Sequence, residues 1–364
     1  MSDTLARTTP RFHRLTVAEV RRETGDAVSL RFAVPPELAE DYRFEPGQYL
    51  TLRAIVDGED LRRSYSICSA PDSGELRVAI KRVDGGVFSV WANTGLVAGD
   101  TIEVMTPTGR FGLAGREGDS RLHVGFAAGS GITPILSIVQ GVLAREPGSR
   151  FVLFYGSRTV DGILFRELLE DLKDRYLGRL TVFHALSREE QDIELLNGHL
   201  DDAKVRRLLR GMVPVEAIDH VFICGPEPMI ESLGATLRDL GVDDARIHVE
   251  RFISAQGGRP RPAPVVDAGA EPACIASVVV EGKRREVPVA EGEAILDAAL
   301  RAGIDLPFAC KGGMCCTCRA KLVEGAARME VNYSLEPWEL EQGFVLTCQA
   351  KPTTARVSVD FDAV

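Results

Sequence analysis

The chain has no surplus of positive charge: 43 lysines and arginines face 53 aspartates and glutamates, a formal net charge of −10 over 364 residues. A phosphate backbone wants a basic face, so nucleic acid is excluded as the main partner. Long apolar runs are missing too. The longest, such as "FVLFY" at 151–155, have the length of a strand and fall far short of a bilayer span, so no membrane partner is expected. The opening "MSDTLARTTP" has no apolar stretch, and no secretory signal is expected. No internal repeat is present. Histidine is scarce, and none of the six has a glutamate three residues before it. The Glu-x-x-His pairs from which helices build a di-iron carboxylate centre are therefore lacking, and oxygen chemistry is not expected on this chain. Without an export signal, the eight cysteines point to a reducing compartment, the cytoplasm by default. There, clustered thiols bind metal more often than they cross-link.

What is present falls into three textures. Residues 12–106 read as short strands broken by polar or Gly/Pro turns: "FHRLTVAEV", "AVSLRFAV", "GQYLTLRAI", "ELRVAIKRV" and "TIEVM". Short strands at this spacing predict an antiparallel barrel or sandwich. From residue 121 strands and helices alternate, starting with "RLHVGFAA" and "TPILSIVQGVLAR" and closing on "RIHVE", which predicts a parallel sheet with right-handed crossovers. Residues 254–275 are rich in Pro, Gly and Ala and read as a flexible linker. A small mixed module follows, with a hairpin, a helix, a cysteine loop and closing strands. The expected boundaries are 1–117, 118–253, 254–275 and 276–364.

The stretch "FACKGGMCCTC" carries the strongest signal. Cys310, Cys315, Cys318 and the distant Cys348 give C-x4-C-x2-C and a fourth cysteine, the plant-type [2Fe-2S] spacing. Thiolates at steps of five and three cannot share one helix face, so the backbone must wrap around the metal. Gly312 and Gly313 are expected to permit the unusual angles and to let amide N–H groups approach the cluster sulfurs. Zinc would ask for two C-x2-C knuckles, of which there is one. Cys316 stands off the register and should point away from the cluster.

Two further segments suit organic cofactors. In "LRRSYSICS", Arg63 can pair with a pyrophosphate in a bidentate way. Tyr65 offers a flat face to a flavin ring and Ser66 a hydroxyl near its reactive N5. Backbone amides of "GGVFS" and the Ser89 hydroxyl are expected against the other pyrophosphate oxygens, with Lys81, Gly86 and Phe88 as further candidates for cofactor contacts. In "FAAGSGITPIL", Gly129, Gly131 and Thr133 form a strand–turn–helix passage that lets backbone approach a second pyrophosphate at a helix N-terminus. Ser157 and Arg158 end one strand, and Ser187 and Arg188 the next. Together they can clamp an adenosine 2′-phosphate, favouring NADPH over NADH. In "ICGPEPM", Cys224 and Gly225 would lie beside the nicotinamide. Glu250 and Phe252, on the last strand, would face the flavin edge. Tyr65, Ser66, Cys224 and Glu250 are the candidate catalytic residues.

Flavin, nicotinamide and ferredoxin motifs in this order resemble the oxygenase-reductase branch of the ferredoxin–NADP reductase superfamily, across nearly all 364 residues. "CKGGMCCTC", "NYSLEP", "VLTCQA", "RFEPGQYLTL" and "AAGSGITP" look like the reductase subunits of phenylacetyl-CoA 1,2-epoxidases, in which a small residue is expected at Cys316. The resemblance implies an antiparallel β-barrel for FAD, an α/β parallel-sheet nucleotide domain and a β-grasp α+β ferredoxin domain. It implies electrons passing from NADPH to FAD, to [2Fe-2S], and out to a di-iron oxygenase component. Three alternatives stay open: a reductase of the same design for a steroid, alkane or aromatic-ring hydroxylase, an electron carrier with an inactive flavin module, and a C-terminal zinc module.

Overall fold

The computed structural model describes residues 10–113, 118–252 and 272–363. They form two compact units, one carrying the second sheet and most of the first, the other the C-terminal sheet together with residues up to His13 and Arg62–Ser64.

The first sheet is built from β1 (Phe12–Thr24), β2 (Ala27–Ala33), β3 (Tyr49–Val56), β4 (Glu59–Ser66), β5 (Leu76–Lys81) and β6 (Thr101–Met105), in the order β4-β3-β6-β1-β2-β5. Register shifts between Val17 and Glu19 and between Arg22 and Thr24 bend the long β1 against β2. The bend curls the sheet until Ile67, just past β4, bridges Val78 on β5 and brings the two edges together. Inward-facing Val17, Leu30, Leu50, Leu52, Ile67 and Val78 fill the interior and are buried. One element departs from the all-strand expectation: helix α1 (Val87–Thr94) follows directly on Gly86. Its signal was the four-residue step from Phe88 to Ala92, both buried against the sheet, which strand alternation does not give.

The second sheet is wholly parallel. It contains β7 (Leu122–Ala128), β8 (Arg150–Ser157), β9 (Leu180–Leu186), β10 (His220–Gly225) and β11 (Ile247–Arg251). Helices α2 (Ile132–Arg145), α3 (Arg166–Arg175), α4 (Asp202–Met212) and α5 (Glu227–Asp239) make the crossovers. The order β11-β10-β7-β8-β9 reverses between β7 and β10. In doubly wound sheets a ligand crevice opens at that reversal, outside the carboxyl ends of the strands. Helix α2 also holds the barrel. Ser137 Oγ donates to the Ser69 carbonyl at 2.8 Å, Gln140 Nε2 donates to the Cys68 carbonyl at 2.9 Å, and Arg145 pairs with Asp72 at 3.0 Å. The strand end that carries Tyr65 and Ser66 is thereby registered against the crevice.

The C-terminal sheet takes β12 (Cys274–Val280), β13 (Lys283–Val289), β14 (Arg319–Glu324), β16 (Phe344–Leu346) and β18 (Arg356–Asp360), in the order β13-β12-β18-β14-β16. The pair β12–β18 is parallel and its neighbours antiparallel. Helix α6 (Ile295–Arg301) covers one face, and the short β15 (Ala327–Met329), β17 (Ala350–Pro352) and α7 (Pro337–Glu341) complete the module. Strand β12 begins at Cys274, inside the stretch expected to be linker. The rest of that stretch, up to residue 271, lies outside the described residues. No described helix is long and apolar enough to cross a membrane.

Candidate functional site

At the barrel edge, β4 carries the Arg63-Ser64-Tyr65-Ser66 segment. Ser66 is 3% exposed, and its Oγ has no hydrogen-bond partner among the described residues. A buried orphan hydroxyl is costly unless something absent from the protein meets it, which fits a flavin. The Tyr65 ring lies 5.8 Å from Phe88 and stays partly open, while the Arg63 guanidinium donates to the Arg62 carbonyl at 2.7 Å.

Three neighbouring candidates meet partners within the protein. Phe88 is fully buried between Tyr65 and Trp91, so its side chain has no surface left for a cofactor and instead backs Tyr65. Ser89 Oγ donates to the Gly86 carbonyl and accepts from Val83 N–H, each at 3.1 Å. Lys81 pairs with Asp26 at 3.3 Å. What the segment offers an anion is backbone. Gly86 caps α1 without a side-chain hydrogen bond, leaving the first amides of the helix for a pyrophosphate.

At the crevice, close packing explains the glycines. Gly129 sits at φ +54° in the left-handed region, where a side chain is disfavoured. A Cβ on Gly131 would lie 2.1 Å from the Cys224 carbonyl oxygen. On Gly225 it would lie 2.5 Å from Met229 Cε. Thr133 is buried and donates to the Ser130 carbonyl at 3.0 Å. Cys224 is wholly buried, and burial, aided by the charge of Glu250, pushes its thiol well above its ordinary value. Glu250 stands directly beside it in the β10–β11 register, and burial pushes its carboxyl up to about 8. Phe252, half-buried, packs against the α2 side of the sheet. This end of β10 and β11 therefore presents a neutral acid and a neutral thiol.

Farther along the carboxyl edge, Ser187 N–H donates to the Ser157 carbonyl at 3.0 Å and Arg188 N–H to the Arg158 carbonyl at 2.8 Å. The two strand ends are zipped together, with Arg158 and Arg188 exposed side by side. Glu189, the next acid, accepts from Val160 N–H at 2.8 Å.

In the C-terminal unit the four register cysteines come together as two hydrogen-bonded pairs, Cys310 with Cys315 and Cys318 with Cys348. Each pair has one sulfur inclined to ionise. Cys310 is pulled down to about 6, first by the hydrogen bond from Cys315 and then by the N–H groups of Gly312, Met314 and Cys315. Cys348 is pulled down by Cys318 first, with help from Gln349 and the Gly313 N–H. Among the described residues no three such side chains converge as on a single metal ion. Two thiol pairs in a cradle of N–H donors suit two iron atoms, so the loop fits the [2Fe-2S] group. The backbone angles are shared out unexpectedly. Gly313 is left-handed at φ +76°, as are Lys311 at +50° and Cys316 at +51°. Gly312 is not among the positive-φ residues, and it serves by donating its N–H to Cys310 Sγ at 3.3 Å. Cys316 Sγ donates to the Ser334 carbonyl at 3.2 Å instead of joining either pair.

Comparison with known proteins bears on all three regions. Residues 14–112 match the oxidoreductase FAD-binding domain, 126–234 the oxidoreductase NAD-binding domain and 278–353 the 2Fe-2S iron-sulfur cluster binding domain. The chain is 47% identical to a subunit of the 1,2-phenylacetyl-CoA epoxidase of Escherichia coli K12, over 97% of its own length and 98% of that protein. The chain belongs to the oxygenase reductase family. The ferredoxin reductase component of the 3-ketosteroid-9-alpha-monooxygenase of Rhodococcus rhodochrous, another family member, is 35% identical over 95% of the chain and 96% of that protein. Phthalate dioxygenase reductase shares the fold, with a TM-score of 0.57 and 24% identity over 96% of this chain and 98% of that one. As a family member, the chain is an oxidoreductase that takes electrons from a pyridine nucleotide through FAD and a [2Fe-2S] centre.

Proposed function

We propose that the chain is the NADPH-dependent reductase of a di-iron oxygenase component, phenylacetyl-CoA 1,2-epoxidase, in aerobic phenylacetate degradation. One observation carries the acceptor: the 47% identity with the epoxidase protein runs through 97% of the chain, so it includes every module rather than a shared domain. When bound, flavin and cluster convert the two-electron supply of the nucleotide into single electrons. The protein's own residues do the arranging. Arg63 would pair with the pyrophosphate and the α1 amides would donate to it, Tyr65, backed by Phe88, would cover the flavin ring, and Ser66 would meet its N5 region. Gly131 and Gly225 let the turn pack tightly against the end of β10 and Met229, beside Cys224, where the nicotinamide would lie, and Glu250, whose burial favours the protonated form, would add no charge there. Cys310, Cys315, Cys318 and Cys348 hold the cluster.

The finer preference for NADPH is supported by Arg158 and Arg188, two exposed guanidiniums without an ion pair among the described residues. Paired cations of this kind suit a phosphate dianion, and Glu189 is turned to a backbone N–H rather than left for a ribose diol. Cys68, Cys224 and Cys274, away from the cysteine loop, are buried free thiols, which supports a cytoplasmic setting.

The test is NADPH-driven turnover with purified oxygenase components. Product formation with the phenylacetyl-CoA epoxidase oxygenase and none with the ketosteroid hydroxylase is expected. The reverse result would sink the acceptor, and turnover equally fast with NADH would sink the nucleotide preference.

A further inference from the structure

Exposed apolar side chains are unevenly spread over the C-terminal unit. Among the described residues its four large ones are Val323 (53%), Tyr333 (52%), Trp338 (44%) and Leu340 (43%), so three fall within eight residues. That segment is stitched to the cysteine loop. Tyr333 N–H and Ser334 Oγ both donate to the Gly313 carbonyl at 3.1 Å, and Cys316 donates to the Ser334 carbonyl. Asn332 fixes the turn by accepting from Ser334 and Leu335 N–H. Helix α7 is held just as firmly. Glu339, fully buried, pairs at 2.7 Å with Arg319, the residue after Cys318, and accepts from Glu336 N–H to complete a capping box. Arg319 is itself stacked 3.5 Å over Phe344. Burying an ion pair beneath a five-residue helix fixes what that helix displays: Trp338 and Leu340 exposed on either side of Glu339, which is tied to the residue after Cys318.

We propose that Tyr333, Trp338 and Leu340 form the docking surface for the oxygenase component, which this face would meet with an apolar centre and a basic rim. The inference rests on the proposed function. Trp and Tyr are the side chains that most often anchor protein interfaces, giving large contact area for little lost freedom. The charge around them selects the partner. Glu336 and Glu341 are exposed and form no ion pair among the described residues, and residues 330–342 contain no lysine or arginine. A second copy of the chain would set these carboxylates against their own kind, whereas a basic rim is drawn to them. Docking here also brings the acceptor to the loop that holds the cluster, where an electron has the least protein to cross.

The test uses full-length holoprotein carrying Trp338→Ala, Tyr333→Ala or Glu341→Lys. The expected result is a KM for the oxygenase component raised about tenfold or more by Trp338→Ala, as truncating an interface anchor does. Glu341→Lys should flatten the fall of turnover with salt. Ferricyanide reduction, iron content and anaerobic bleaching of the cluster by NADPH should stay at wild-type rates. An unchanged KM in both aromatic variants would overturn the surface. So would slowed bleaching at an unchanged KM, since the patch would then serve transfer from flavin to cluster. If the wild type fails with the epoxidase, the acceptor falls, and the variants are judged on whichever oxygenase component the wild type reduces.

Discussion

The nucleotide crevice and the cysteine loop solve the same problem, bringing backbone close to a cofactor, in opposite ways. The crevice removes side chains: Gly129 takes the left-handed angle, and Gly131 abuts the Cys224 carbonyl where no Cβ fits. The loop keeps side chains and twists the backbone beneath them. Lys311 and Cys316 both adopt φ near +50°, each costing about 1–2 kcal/mol relative to a right-handed residue. A crevice relaxed in this way is finished before its ligand arrives. A loop strained in this way leans on the metal it holds.

The largest consequence is for Cys318→Ser. Iron should be lost and acceptor reduction abolished, while NADPH still reduces the flavin. Because the loop leans on its metal, the C-terminal unit should also become sensitive to proteolysis, with the first unit unchanged. A variant that kept its iron, or lost it without becoming cleavable, would break the contrast. In the crevice, Arg158→Ala should act on affinity alone. Losing one charge-assisted contact costs about 1.5–3 kcal/mol, which predicts a KM for NADPH raised roughly 10- to 150-fold. The KM for NADH and the melting temperature should not move.

Gly131→Ala sharpens the comparison from the packing side. The added carbon meets backbone, so the Ala128–Ile132 turn or the end of β10 must shift, at about 1–3 kcal/mol of stability. Hydride transfer from NADPH should slow, while flavin content holds. Thermal melting together with single-turnover flavin reduction reads both. A variant with wild-type stability would mean that the crevice is looser than its contacts.

Acid should separate the two regions again. All six histidines precede residue 250, so the C-terminal unit has none beyond its N-terminal segment. In the parallel sheet, His220 and His248 share a 3.1 Å hydrogen bond, and burial holds both down at about 4 from an ordinary 6.5. The unfolded chain then binds more protons than the folded one between those values. The stability these neutral rings provide is complete above pH 6.5 and is lost as pH falls toward 4. The first unit should therefore melt earlier than the cluster module as pH drops through this window, followed by protein fluorescence against cluster absorbance.

How far each region could be read from sequence follows from the same contrast. The cysteine register, the Gly-rich turn and the strand–helix alternation are local patterns, and strands such as β6 and β9 begin and end where their apolar runs do. The backbone amides expected from "GGVFS" are legible in the Gly-Gly pair, but not their arrangement: α1 starts at Val87 behind Gly86 with no side-chain cap, and Ser89 Oγ donates to the Gly86 carbonyl. Lys81 pairs with Asp26, in the turn before β2, a partner that only the pairing of β2 with β5 brings near. Glycine roles divide likewise. Spacing singled out both Gly312 and Gly313, but which of the two twists depends on where the thiols must point.

The smallest expected effect, and the most direct on the strained loop, belongs to Cys316→Gly. It is the reverse of Gly131→Ala, removing a side chain where φ is already +51°. Relief of the left-handed penalty is worth about 1–2 kcal/mol, against the loss of a weak thiol contact to the Ser334 carbonyl and the added freedom of glycine in the unfolded chain. The balance should leave stability unchanged or raised by up to ~1 kcal/mol. Iron content and cluster spectrum should match the wild type, because Cys316 belongs to neither thiol pair. Loss of iron would place Cys316 among the ligands. A clear loss of stability with iron retained would mean that the Ser334 contact, not the backbone angle, sets the energetics of this turn.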